Sequence, residues 1–203
     1  MNEKFRSKNY YVELISHRLA SEFIAKLHYS QGTSNTSSFA FGLFSVKDNN
    51  LVGACLWMCA PCGVAKKFSN TFINDRPLMN TVLTLSRFVL CDNLPKNAAS
   101  FFLGKCIKHI QKTGKYDCLV TYADQRVGHI GTIYKASNWL YDGETVAYTG
   151  WIDENGTLKS RLCKGGKTVQ EMDERYTRTT KNKKYRFIYK LKRRKRQVSL
   201  FAS

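Results

Sequence analysis

No stretch of the 203-residue chain reaches the roughly 18 consecutive apolar residues of a membrane span. The opening, MNEKFRSKNYY, lacks the apolar run of a secretory signal. No internal repeat is visible, so a repeat array is not expected. A soluble protein of a cytoplasm, without a membrane partner, is the expectation. Acidic residues are scarce: 15 stand against 33 lysines and arginines, a net charge of +18. From Arg175 onward there are 12 basic residues and no acid, which is two thirds of the excess. A basic segment of this kind most often meets a polyanion, above all nucleic acid. The plain alternative is a solvated tail. Hydrophobic residues make up 43% of the chain, which excludes wholesale disorder and supplies one packed domain. That domain is expected over 1–191, followed by a basic flexible tail over 192–203.

The seven cysteines are odd in number, which argues against a disulfide framework and for reduced thiols. Cys55, Cys59 and Cys62 make C-x3-C-x2-C, but no second Cys or His pair completes a zinc site. Since Cys55 and Cys59 fall in the apolar run LVGACLWMCAP, they are expected in the core.

Periodicity orders the chain. A strand is expected over Tyr10–Ile15, then a helix over His17–His28 from Leu19, Phe23, Ile24 and Leu27. SFAFGLFSV and LVGACLWMCAP around Asp48-Asn49-Asn50 predict a hairpin. Residues 64–77 read as an exposed loop. NTVLTLSRFVL predicts a strand over Asn80–Leu90. A helix follows, built on Ala98, Phe102, Cys106 and Ile110, capped by Asp92 or Asn93 and stopped by Gly114. Cys118–Tyr122 is a short buried strand, and a short helix is expected over Thr132–Ser137. Further strands are expected over Val146–Ile152 and Lys184–Leu191. The result is an α/β (α+β) domain with a mostly antiparallel sheet. Its site is expected at strand ends, just after Leu90 and just after Tyr122.

Several residues there carry chemistry. Asp124 at a strand end is a natural general base, or else a cap for the next turn. Gly128 and Gly131 would let backbone approach a ligand. Arg87 inside an apolar strand is costly unless it binds an anion or pairs with a carboxylate such as Asp124. His28 and Tyr29 close the first helix, where they either stabilise its end or face a substrate. Asn97 and Ser100 open the second helix, whose free N–H groups suit an anion. Trp139 reads more readily as core than as site.

The ordered set HYS, FGLFS, LVGACLW, LSRFVL, PKNAASFFL and YADQRVGHIGTIYKASNWLYDG resembles the Mom family of phage DNA-modification proteins. The resemblance runs from about Tyr10 to Leu191 and is most specific over Tyr122–Gly143. It implies a fold similar to the GNAT N-acyltransferases. It also implies modification of adenine in double-stranded DNA at N6, giving a carbamoylmethyl-type adduct that resists restriction in the host cytoplasm. The site it implies consists of His28, Tyr29, Arg87, Asp124 and Tyr134, with Tyr29, Tyr134 and Trp139 placed to hold a flipped adenine. Asn97 and Ser100 are then expected at the donor. Arg126, Lys190, Lys192, Arg193 and Arg194 are expected on DNA phosphates. The segment CDNLPKNAAS lacks the glycines with which GNAT enzymes grip a CoA diphosphate. The donor is therefore left between acetyl-CoA and another activated small group. His28, His129 and Asp124 are residue types of an iron facial triad, so iron is the metal to test. Two other classes fit the residues. One is a GNAT-like acyltransferase acting on a small-molecule or protein amine. The other is a non-catalytic DNA-binding module.

Overall fold

The computed structural model describes residues 4–28, 33, 35–73, 76–125, 128–146, 150–159, 168–179 and 183–192. Tyr29, Arg126, Arg193 and Arg194, together with Cys163 and the rest of the tail, lie outside the described residues. The chain begins with β1 (Tyr10–Leu14), α1 (His17–Leu27), β2 (Phe39–Ser45), β3 (Leu51–Cys59) and α2 (Cys62–Phe68). Two short strands follow, β4 (Phe72–Ile73) and β5 (Arg76–Pro77), then β6 (Val82–Leu90), α3 (Ala98–Lys112), β7 (Cys118–Asp124) and α4 (Thr132–Ala136). The remainder is β8 (Leu140–Glu144), β9 (Trp151–Ile152), β10 (Leu158–Lys159), α5 (Val169–Arg175), β11 (Thr177–Arg178) and β12 (Lys184–Lys190).

Seven strands form the main sheet in the order β1-β2-β3-β6-β7-β12-β8. Every neighbouring pair is antiparallel except β6 with β7. That pair is parallel because α3 carries the chain back between them, and a parallel connection needs such a crossover. α3 buries Phe102, Leu103, Cys106, Ile107 and Ile110, a stripe at helical spacing. With Phe41, Leu43, Trp57, Leu83, Leu119 and Phe187 they make the main core on one side of the sheet. Full burial of each such side chain contributes about 1.5–3 kcal/mol. On the other side, Ala20 and Ile24 of α1 cover Ala40, Ala54 and Leu56. Ala65 of α2 covers Val82, Val120 and Ile188.

The structure corrects several expectations. Residues 64–77 are not a plain loop. The carbonyl of Pro61 accepts from the N–H of Val64 and of Ala65 and opens α2, a turn favoured by proline's fixed φ. The residue before α3 is Asn97, at φ +77°, with no side-chain cap; Asp92 and Asn93 do not cap it. Val146 is 91% exposed and belongs to no strand; of the expected strand, Trp151–Ile152 forms β9, and a further strand, β8, lies earlier over Leu140–Glu144. Cys55 is buried, but Cys59 and Cys62 are exposed, because β3 leaves the core at its last residue.

Candidate active site

Pairing between β6 and β7 runs from Val82↔Cys118 to Leu85↔Thr121 and ends there. Both strands continue, to Leu90 and Asp124, so they part. A cleft of about 560 Å³ opens at the fork, lined by Thr84–Phe88, Tyr122–Asp124, His28, residues 128–134 and Lys184.

A bulge decides which side chains face it. On β3, Leu56 pairs with Arg87 and Trp57 pairs with Leu85, so Ser86 is one residue extra on β6. Its hydroxyl donates to the Leu56 carbonyl at 3.1 Å. Strand side chains alternate between faces, and an extra residue inverts that alternation. Leu85 belongs to the main core, whereas Arg87 takes the face of Leu56, the side covered by α1. The Arg87 guanidinium donates to the Ser86 carbonyl at 2.7 Å and lies half-buried toward the end of α1. There His28 is held as the neutral imidazole: burial first, then the positive Arg87 and nearby His129, push its pKa down to about 4.

Asp124 is the last residue of β7 and is 5% exposed. Lys184, its partner on β12, brings its Nζ to 3.6 Å from Oδ2. The Asp124 carbonyl accepts from the His129 N–H at 3.2 Å, which closes the turn. Gly131 ends that loop at φ +76°, and a Cβ there would meet the Phe187 ring at 2.3 Å. Glycine is required here by this packing contact, and Gly131 also lines the cleft. The turn sets Tyr134 on α4 at the cleft wall, its ring 5.4 Å from that of Phe187.

The structure therefore brings together His28, Arg87, Asp124 and Tyr134, all expected, and His129, expected only as a metal ligand. Thr84, Ser86, Tyr122 and Lys184 join them. Lys184 is the one sequence reasoning had no means to find, because it reaches Asp124 only through strand pairing 60 residues away in the chain. Trp139 does not line the cleft; it is 4% exposed and stacks on Trp57 in the core. Asn97 and Ser100 stand outside the cleft lining, with the Ser100 hydroxyl donating to the Asn97 carbonyl at 3.1 Å. Lys190 and Lys192 are exposed beyond the opposite end of β7 from Asp124. Among the described residues no three His, Cys, Asp or Glu side chains converge on a metal position, so the iron triad is not formed by His28, His129 and Asp124. No described helix is long and apolar enough to cross a membrane.

Solved structures share this architecture. The ribosomal-protein-S5-alanine acetyltransferase of Vibrio fischeri aligns with a TM-score of 0.55 at 10% identity, covering 93% of this chain and 97% of that one. The spermidine N-acetyltransferase of Vibrio cholerae, in complex with CoA and spermine, aligns at 0.54 and 9% identity, covering 92% and 98%. At such identities the likeness is one of fold, and the fold is GNAT-like. In sequence, the chain is 31% identical over 144 residues to the methylcarbamoylase Mom of Escherichia phage Mu, covering 68% of this chain and 56% of that protein. It thus spans about half the length of the curated relative it matches. The family model described as the Mom protein family matches residues 9–202, nearly the whole chain. The chain belongs to the Mom protein family.

Proposed function

We propose that this chain is a transferase of phage DNA modification. It acts on the exocyclic N6 of adenine in double-stranded DNA, leaves a carbamoylmethyl-type group there, and so protects the DNA from host restriction enzymes. The observation that carries the reading is a nearly buried carboxylate, Asp124, at the fork of a GNAT-like sheet, with Arg87, His28 and Tyr134 around one cleft. The similarity to a protein named methylcarbamoylase supports the group transferred.

The chemistry suits these side chains. The N6 lone pair is delocalised into the purine, so attack needs a positioned partner and an acceptor for the N6 proton. Asp124 is that acceptor, with the Lys184 ammonium 3.6 Å from its Oδ2. As the N6–carbon bond forms and the bond from that carbon to the leaving group breaks, Tyr134 donates to the leaving group. Arg87 holds the amide oxygen of the group being transferred. His28, neutral above about pH 4, lines the pocket without repelling Arg87. Since N6 inside a duplex cannot be surrounded by a pocket, the base must leave the stack.

The fold implies a CoA-type donor, and the residues at the fork are compatible with its arm; to leave a carbamoylmethyl-type group, the donor would have to release that group through its methylene carbon with the amide nitrogen already in place. Thr84, 7% exposed beside the cleft, has a buried hydroxyl with no hydrogen-bond partner among the described residues. Thr84 and the parted edges of β6 and β7 would hold the donor, which supplies the activated carbon. The turn into α3 has no glycine, and Asn97 takes the left-handed conformation there.

The test is to express the protein in bacteria, digest the DNA to nucleosides and weigh them beside an Asp124→Asn control. A heavier deoxyadenosine absent from the control is expected. Unmodified DNA, with transfer to a free amine instead, would favour the acyltransferase reading. The cationic cleft speaks against a polyamine as that amine. DNA binding without any transfer would leave a binding module.

A further inference from the structure

β12 is built on two alternations. Tyr185, Phe187 and Tyr189 enter or border the main core. The intervening Lys184, Arg186, Ile188 and Lys190 pair with Asp124, Tyr122, Val120 and Cys118 and take the opposite side of the sheet. Ile188 is covered there by α2, and the other three are cations. α2 adds exposed Lys66 and Lys67 on the same side. Arg186 and Lys67 share a single carboxylate, Asp142, at 2.6 and 2.9 Å, and both cations lie over the Phe68 ring. Lys66, Lys190 and Lys192 have no ion pair among the described residues. α1 covers β2, β3 and β6 on this side, and α2 packs on β6. The cations therefore flank the two helices, along the margin of what those helices cover.

Resting on the DNA reading above, we infer that this face is the track of the DNA backbone. It starts at Lys184 at the mouth of the cleft, passes Arg186 and Lys67, and ends at Lys190 and Lys192. Six residues of strand separate Lys184 from Lys190, about 20 Å. That is roughly the axial length of six nucleotides of one DNA strand. A base flipped into the cleft keeps its own phosphates at the mouth, and the row continues from there along one backbone. α3 carries exposed Lys105, Lys108 and Lys112 on the opposite side of the sheet, and these lie off the track. The row thus has a direction as well as a charge.

The experiment uses the full chain and a fluorescent DNA duplex, with binding measured across a salt series. Three proteins are compared: wild type, Lys66→Gln/Lys67→Gln/Lys190→Gln, and the charge-matched Lys105→Gln/Lys108→Gln/Lys112→Gln. None of the substituted residues lines the cleft, and thermal melts verify that each variant folds. The α2-face variant should bind roughly tenfold more weakly at moderate salt. Its slope of log K against log salt should be shallower by about 0.9 for each phosphate no longer neutralised. The α3 variant should match wild type. Equal weakening of both variants, or weakening of the α3 variant alone, overturns the track while leaving a DNA-modifying enzyme standing. Wild-type protein that binds no duplex overturns the DNA reading together with the track.

Discussion

The ring of Phe187 occupies the space that a side chain on Gly131 would need, with Cε2 and Cζ each 2.3 Å from the position of the missing Cβ. One residue from the last long strand thus fixes the loop that carries Tyr134 to the cleft. Gly131→Ala should lose about 1–2 kcal/mol for the left-handed backbone, and more as the ring is displaced. Gly128→Ala, at φ +72° with open space around it, should lose the backbone contribution alone. Denaturant titration of both variants measures the difference; equal losses would show that the Phe187 contact is dispensable.

His28 carries a pH signature. Its pKa in the fold is about 4 against an ordinary 6.5, so between those values the unfolded chain binds the extra proton. Its contribution to stability is intact above pH 6.5 and is lost as pH falls toward 4. Thermal melts across that window should show a shallower acid loss for His28→Gln than for wild type. An imidazole titrating near its ordinary value by NMR would contradict the burial described.

Asp142 ties three elements together, taking Lys67 of α2 and Arg186 of β12 onto β8. Burial opposes its charge, but the bonds from Lys67 and Arg186 outweigh it and hold the carboxyl below its usual range. Asp142→Asn should cost about 2 kcal/mol, the scale of hydrogen bonds to charged groups. Faster amide exchange over α2 should accompany the loss. Unchanged exchange would mean that the packing of Ala65 alone secures the helix.

The cysteines should divide by accessibility. Burial pushes the Cys118 thiol up to about 11, and burial followed by the neighbouring Cys55 raises Cys106 well above the usual range. Brief alkylation of the folded protein, read by peptide mass, should label Cys59 and Cys62 and spare Cys55, Cys106 and Cys118. Early labelling of Cys106 would show that the core opens.

Much of this was legible in the sequence because its signals were local. The helical spacing of α3, the hairpin β2–β3 and the alternation of β12 each lie within a short window. Asp124 and Tyr134 stood out for the same reason. What escaped depended on partners distant in the chain. α2 is short, and the pair Pro61 and Gly63 reads as an ending until the turn at Pro61 is seen to start a helix. β8 breaks no alternation rule but borrows its pairing from β12, 40 residues on. Trp139, which read more readily as core but also suited a base, was settled by Trp57. Lys184 is one lysine among many until strand register sets it beside Asp124.

The extra residue at Ser86 acts as a parity switch for the strand. Up to Leu85 one set of positions, odd in number, enters the main core; from Arg87 onward the even set does. Were Ser86 paired like its neighbours, in an unbroken ladder, the alternation would turn the arginine toward Phe102 and its neighbours, where a lone guanidinium has no water. Deleting Ser86 closes the bulge without that inversion, since Arg87 then follows Leu85 directly and keeps the face of Leu56. Grafting this cleft onto another sheet of the same architecture would demand that Leu85 and Arg87 take successive paired positions, through the bulge or as direct neighbours.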